Sequence, residues 1–568
     1  MNQRPAALPL LAALILVGLI VVPLLYLLLF SLRQGTPWEP GAFTLQHYID
    51  VYSNPTTFTV FFNTAVVAAA STALSLVIAV TFAILTERTD MPLRHLAWAL
   101  MLLPLAVPGL LFAISWTFLL SPQIGLINVW LRRAFSIFGF AWSEGPLNLY
   151  SLWGMIFLEG LRGVTTIFLM TVGAFRAMDP SLEEASSAAG ASFKTTLAWV
   201  TLPVLTPALL AAATYSFMTN LESLEIPIII GMPAGIHVFP TYIYFTTQRF
   251  SPPEYGLAAT LSLLLVLASI ALVVWHRRAT AQAGHFATIT GKGYRPRLIA
   301  LGQWRYPALA LYLLFFLLTI GAPFFALIWR SLFRYHVDAS FAALARAGLD
   351  NYRAVLGSRD LGTVTLNTIG LSFGAATLTM LLALAASWVI VRNRGKCVAI
   401  FDAVLFLPHA LPGVVIGIAF IFLFVQPPLG YLNLHGTLSL MIMALTVSYI
   451  PFGSRTMNGA LVQLHPELEE AAQVAGSSWL TILRRIILPL LLPSFVSGWI
   501  WIASHALRAF SLPLMLASRD SNVISLLMWR MWDDGSAGQS AALGVLLIAA
   551  LALLTAVGRW SVTRLNRQ

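Results

Sequence analysis

Adjacent glutamates occur twice in this chain, each time in the same setting. The first segment reads Asp179-Pro-Ser-Leu-Glu183-Glu184-Ala185-Ser-Ser-Ala-Ala-Gly190 and runs on to Leu202-Pro203. The second reads His465-Pro-Glu-Leu-Glu469-Glu470-Ala471-Ala-Gln-Val-Ala-Gly476 and runs on to Leu488-Pro489, 286 residues later. Proline suits a first helical position. Carboxylates are favoured in the first turn by the helix dipole. Alanine then propagates the helix and glycine breaks it. Each segment predicts a helix–glycine–helix elbow whose second short helix ends at the Leu-Pro pair. A second set of ionisable residues sits in apolar surroundings: Glu159 and Arg162, then Glu222 and Glu225. Such groups cost at least about 2.5–3.5 kcal/mol at the centre of a membrane helix and tend to line pathways. Glu159 and Arg162 are three apart, so they share a helix face. They form either a structural ion pair or part of a pathway. Their partners 286 residues later are Leu445 and Ser448, and those of Glu222 and Glu225 are Arg508 and Ser511. Glu222 either pairs with Arg508 as a gate or clamp, or offers oxygens to a hard cation.

Catalytic and cofactor constellations are missing from the sequence. The ten histidines are scattered, and Cys397 is alone. No disulfide or cysteine-based metal framework is therefore available, and no metal site is assigned. Gly291-Lys292-Gly293 and Gly395-Lys396-Cys397 lack the spacing of a phosphate-binding loop. No nucleophile elbow, metalloprotease pair or dinucleotide glycine cluster appears. The chain reads as a non-enzyme without a cofactor of its own.

The elements that carry these residues are apolar. A bilayer-spanning helix needs about 20 mostly apolar residues. Twelve such stretches are expected, near 7–30, 60–85, 96–120, 149–172, 205–221, 256–275, 306–329, 365–391, 403–425, 437–454, 490–507 and 541–558. The first is too long for a signal-peptide core and lacks a small-x-small cleavage site, so an uncleaved span is expected. The chain also repeats. Asn63-Thr64, Leu103-Pro104 and Pro108-Gly109 return 304 residues later as Asn367-Thr368, Leu407-Pro408 and Pro412-Gly413. The later pairs, such as Pro180 with Pro466, are 286 apart, so the first copy has a longer loop between its third and fourth spans. Six spans per copy keep both copies in the same orientation. The fold class expected is an all-α polytopic membrane protein with about 12 transmembrane helices in two parallel-oriented repeats of six. The repeats cover 1–275 (elbow 179–203) and 306–568 (elbow 465–489), joined by a basic linker, 276–305.

Charge fixes the orientation. Only 10% of the 568 residues are charged and 58% are hydrophobic, with a net charge of +11. A soluble chain carries about 25% charged residues. The positive excess invites a nucleic-acid reading, which needs a clustered basic face. With a cytoplasmic N-terminus and alternating sides, however, the cytoplasmic segments hold the whole excess and the opposite side balances. That is the positive-inside signature. Both termini and both elbows are expected in the cytoplasm, with lipid and not nucleic acid as the surrounding partner.

Both elbows resemble the EAA motif of binding-protein-dependent ABC importer permeases: Glu-Ala-Ala, three residues, Gly, nine residues, Ile, one residue, Leu-Pro. The second copy fits in full, with Glu470-Ala471-Ala472, Gly476, Ile486 and Leu488-Pro489. The first has Ser186 for the third alanine and Val200 for isoleucine. The resemblance implies that Glu183, Glu184, Ala185, Gly190, Glu469, Glu470, Ala471 and Gly476 couple the chain to two ATP-binding subunits, which use ATP and Mg. It also implies a periplasmic substrate-binding protein, the bacterial inner membrane and alternating access. A fused double-length permease is similar to ferric iron importers, and also to thiamine and aminophosphonate importers, with a polyamine a further option. Thr290–Arg297, Pro253–Ala259 and Phe510–Leu514 look most like the ferric type. A 12-span secondary transporter shares the span count but has no need of the paired elbows.

Overall fold

A computed structural model describes residues 7–140, 142–280, 298–393, 395–465 and 467–565. Of the linker expected at 276–305, residues 281–297 lie outside the described residues, as does the whole Thr290–Arg297 phrase. The described chain is almost wholly helical. Its one ribbon pairs Arg33–Gly35 antiparallel with Pro40–Phe43, and Gly35 takes φ +87° beside it.

Among the described residues, nine helices are long and apolar enough to cross a membrane. Two bent helix pairs bring the candidate spans to as many as 11 among the described residues, against the 12 expected. Arg94–Ala106 meets Gly109–Leu120 at 98°, and Lys396–Ala410 meets Gly413–Val425 at 111°. Both breaks fall at a Pro-Gly pair, Pro108-Gly109 and Pro412-Gly413. A residue before proline is pushed out of the helical region. Val107 and Leu411 accordingly adopt ψ 122° and 116°. The stretch expected at 541–558 begins inside the helix Ala537–Leu565, which is apolar over Ala537–Leu553.

The second arm of each elbow also differs from expectation. It does not stop at the Leu-Pro pair but continues into the next span, as the helix Phe193–Leu221 in the first copy and the unbroken run 479–507 in the second. Wide π turns at Leu197–Thr201 and Leu483–Ile487 make the passage possible. Each ends two residues before a proline, Pro203 or Pro489. Proline has no N–H, so a carbonyl one turn back loses its usual partner and the local hydrogen-bond register slips. The turn Leu317–Gly321 before Pro323 repeats the pattern.

Two compact units emerge, and neither is a single sequence repeat. One comprises Met1–Asn54, Ile243–Val266 and Arg353–Gln568; the other comprises Pro55–Tyr242 and Leu267–Tyr352. The first span of each copy therefore packs in the unit formed mainly by the other copy. In the first unit, Phe30 stacks on Phe422 at 4.5 Å, and Leu16, Ile20 and Leu27 are fully buried. In the second, Phe82 meets Tyr312 at 4.3 Å and Phe315 at 5.2 Å. Each unit is built around a 34-residue helix, Pro55–Arg88 or Arg359–Arg392. Small residues allow close approach along these helices, as in membrane helix pairs generally. Ser71 and Ser75 donate to the carbonyls of Ile156 (3.2 Å) and Gly160 (2.6 Å). Ser372 and Ser387 donate to those of Ala503 (2.7 Å) and Ser454 (3.1 Å).

Candidate functional site

The first elbow starts with Asp179, whose carboxylate accepts from the Ser181 N–H at 2.9 Å, ahead of helix Pro180–Ala188. The second starts with helix Glu467–Val474. Both helices end in the same way. Gly190 and Gly476 take φ +85° and +82°. The N–H groups of Gly190 and Ala191 return to the carbonyls of Ser187 and Ser186, and those of Gly476 and Ser477 return to Gln473 and Ala472. This double return satisfies the last helical carbonyls, and glycine adopts the left-handed conformation it needs without a Cβ penalty. Ser192 and Ser478 then cap the second arms through the N–H groups of Thr195 and Thr481.

Within each glutamate pair, the structure separates the two members. Glu184, Glu470, Ala185 and Ala471 are exposed. Glu183 and Glu469 turn inward, with side chains 19% and 11% exposed. Glu183 pairs with Arg88 at 2.9 Å and accepts from the Thr201 hydroxyl at 2.8 Å. Glu469 accepts from Arg392 Nε at 2.9 Å and lies 2.6 Å from its terminal nitrogen. Burial pushes the Glu469 carboxyl above the ordinary carboxylate value, and the Arg392 charge opposes that shift. The two arginines also bind backbone: Arg88 donates to the Phe175 carbonyl at 2.9 Å, and Arg392 to the Leu464 carbonyl at 3.1 Å. Neither arginine was singled out from the sequence. Their spacing of 304 residues, that of Asn63 and Asn367, was the available signal.

The intramembrane set is rearranged relative to expectation. The spacing put Glu159 and Arg162 on one helix face, as an ion pair or part of a pathway; the ion pair Arg162 makes is with Glu225 at 2.9 Å. Glu159 is buried and accepts from the Ser223 hydroxyl. The reason is tertiary. After the helix Leu202–Leu221, the chain turns into the short helix Glu225–Ile230, which returns Ser223 and Glu225 to the face carrying Glu159 and Arg162. Gly109, at the bend of the third span, touches this cluster. A Cβ there would lie inside van der Waals contact of Glu225 Oε2 and 2.5 Å from Arg162 Cζ. Glu222 stands at the C-cap of Leu202–Leu221 and is not placed in that pair.

In the other unit, Arg508 caps the helix Leu488–Leu507. It bonds to His505 Nε2 at 2.7 Å, and His505 Nδ1 meets the Trp501 carbonyl at 2.8 Å. Trp501 stacks on both Phe452 and His505 with centroids 3.7 Å apart. Ser511 opens the short helix Ser511–Leu516 and packs against Gly413, 3.2 Å from where its Cβ would be. The two repeat-related positions thus hold an ion-pair cluster in one unit and an aromatic–histidine–arginine ladder in the other. Among the described residues, no group of three or more His, Cys, Asp or Glu is placed to hold a metal ion.

Residues 379–568 match the family of binding-protein-dependent transport system inner membrane components. The ferric transport system permease protein FbpB of Actinobacillus pleuropneumoniae is 25% identical over 493 residues, covering 86% of this chain and 69% of that protein. A putative ferric transport system permease, FbpB 1 of Haemophilus influenzae, is 26% identical, covering 79% and 69%. The sulfate transport system permease CysT of Salmonella typhimurium is 29% identical, covering 34% and 73%. Among solved structures, a bacterial ABC transporter importing the polysaccharide alginate aligns with a TM-score of 0.37 at 20% identity, covering 46% of this chain and 94% of that one. The inward-facing MetNI methionine ABC transporter aligns at 0.29 with 18% identity, covering 37% and 99%.

Proposed function

We infer that this chain, a multi-pass inner-membrane permease of the binding-protein-dependent ABC importer type, carries ferric iron from periplasm to cytoplasm. The observation that carries the reading is the pair of elbows, repeated at one spacing and each anchored to its bundle by an arginine. A self-contained transporter has no use for two such projections. The ferric assignment is supported by relatives whose names specify ferric transport and whose alignments cover most of the chain.

In this reading, two ATP-binding subunits seat on the elbows from the cytoplasm. They hydrolyse ATP with Mg, because the chain carries no phosphate-binding loop of its own. Positive-inside charge supports putting both termini and both elbows on that side. A periplasmic binding protein delivers the ion at the opposite face. ATP-driven approach of the two subunits draws the elbows together, opens the bundle outward and admits the ion; hydrolysis resets it. Tight binding inside the permease would slow release, so the pathway needs few ligands. Glu222 and the Glu159–Arg162–Glu225 cluster supply oxygens and a fixed counter-charge at the outer end of the route, and Arg508 and Ser511 are the repeat-related candidates in the other copy.

The test is reconstitution with the ATPase and binding protein in liposomes, following uptake of radioactive Fe³⁺. ATP-dependent accumulation is expected. Uptake without the ATPase would overturn the importer assignment. Accumulation of thiamine, a polyamine or an aminophosphonate in place of iron would overturn the ferric one.

A further inference from the structure

The elbow glutamates were expected to act alike, yet their environments differ in the same way in both copies. Glu184 and Glu470 face outward. Glu183 and Glu469 each meet an arginine that ends a 34-residue helix. Those arginines, Arg88 and Arg392, are buried or nearly so, at 4% and 15% exposure. Each makes one further bond, to a carbonyl near the end of the helix that leads into the elbow. Phe175 lies in Leu152–Ala177, and Leu464 lies just past Leu438–Val462. One guanidinium therefore joins three elements: the long helix, the helix entering the elbow, and the elbow itself. The first copy extends the link to the second arm through the Thr201–Glu183 bond. The junction occurs twice with the repeat spacing, 304 residues between the arginines and 286 between the glutamates.

We propose that Arg88 and Arg392 are the positioning residues that transmit elbow movement to the long helices, while Glu184 and Glu470 are left for the ATP-binding subunit. This rests on the importer reading above. A surface ion pair between mobile side chains would transmit little, because it is screened and flexible. Here the guanidinium is shielded and meets a carboxylate on one side and a backbone carbonyl on the other. Arginine's planar donors suit that task, whereas a lysine supplies one compact charge. Displacing the elbow without the long helix would strand a shielded charge, so the two move together.

The experiment uses the full chain with its ATPase in lipid nanodiscs, with exposed Cys397 replaced by serine. Two pairs of spin labels are compared before and after ATP with vanadate. Ser187 and Gln473 report the elbows. Val77 and Leu381, exposed positions 304 apart on the long helices, report the bundle. In the parent protein, both distances shift. In Arg88→Gln/Arg392→Gln, the elbow shift is retained and the long-helix shift is lost. Arg88→Lys/Arg392→Lys gives an intermediate shift. A long-helix shift equal to the parent's in the glutamine variant overturns the proposal. So does loss of ATPase co-purification in that variant, since the arginines would then be shaping the docking face. Absence of any elbow shift in the parent protein would instead overturn the importer reading itself. Should the double glutamine variant fail to fold, either single variant is expected to reduce the long-helix shift with the elbow shift retained, and an undiminished long-helix shift overturns the proposal.

Discussion

Replacing Gly109 with alanine would drive a methyl group into the Arg162–Glu225 pair, where the Glu225 oxygen already occupies the space. Either the pair separates or the bend of the third span opens. Overpacking of this kind costs about 1–3 kcal/mol. The lost ion pair adds only about 1 kcal/mol or less, because the Arg162 side chain is 40% exposed. The repeat counterpart, Gly413, supplies the control. A Cβ there meets the Ser511 Cβ at 3.2 Å, a contact that a small shift relieves. Any gain in helix propensity applies to both sites, so the difference between Gly109→Ala and Gly413→Ala isolates the clash. That difference is expected to be about 1–4 kcal/mol. It is measured by reversible unfolding of the purified chain in mixed detergent–lipid micelles. Glu225→Ala removes the nearest obstructing atom and should recover more than half of the cost. Equal losses at the two glycines, or an undiminished Gly109→Ala cost beside Glu225→Ala, would refute the reasoning.

Gly190→Ala and Gly476→Ala meet open space, so backbone strain alone acts. Each should cost about 1–2 kcal/mol, seen as faster hydrogen exchange in the elbow with the membrane helices unaffected. Pro108→Ala restores an N–H and relaxes Val107 toward helix. Uptake should fall at least about tenfold, or about 1.4 kcal/mol of barrier, while yield and ATPase binding hold. Glu222→Gln with Glu225→Gln should lower both uptake and substrate-stimulated ATP hydrolysis. Unchanged values would remove these carboxylates from the pathway.

The elbows were legible because their signals are local. Proline, acidic first turn, alanine run and glycine each act over a few residues, and the described caps and positive φ values follow them. The bent spans were hidden by the width of a hydropathy window, which averages across a proline. The Pro-Gly pairs were visible as repeat markers, but their effect on direction was not drawn from them. Arg162 chose Glu225 over its helical neighbour because a short helix after the fifth span brings Glu225 back, and nothing in the i, i+3 spacing encodes that return. Arg88 and Arg392 looked like ordinary cytoplasmic charges flanking long helices. Only the folded chain shows them shielded and turned onto the elbows.

The exchange of first spans has a consequence for synthesis. The unit holding most of the first copy also contains residues 267–352, and the unit holding most of the second contains 1–54. A ribosome that has released only the first six spans has therefore completed neither bundle. The apolar face around Phe82, which Tyr312 and Phe315 cover in the finished protein, must wait in lipid until the seventh span is inserted. Cutting the gene in the linker would yield two interdependent half-chains, each bearing a helix that belongs in its sibling. Carrying both copies on one polypeptide supplies each bundle with its missing helix in equal number and from the same ribosome.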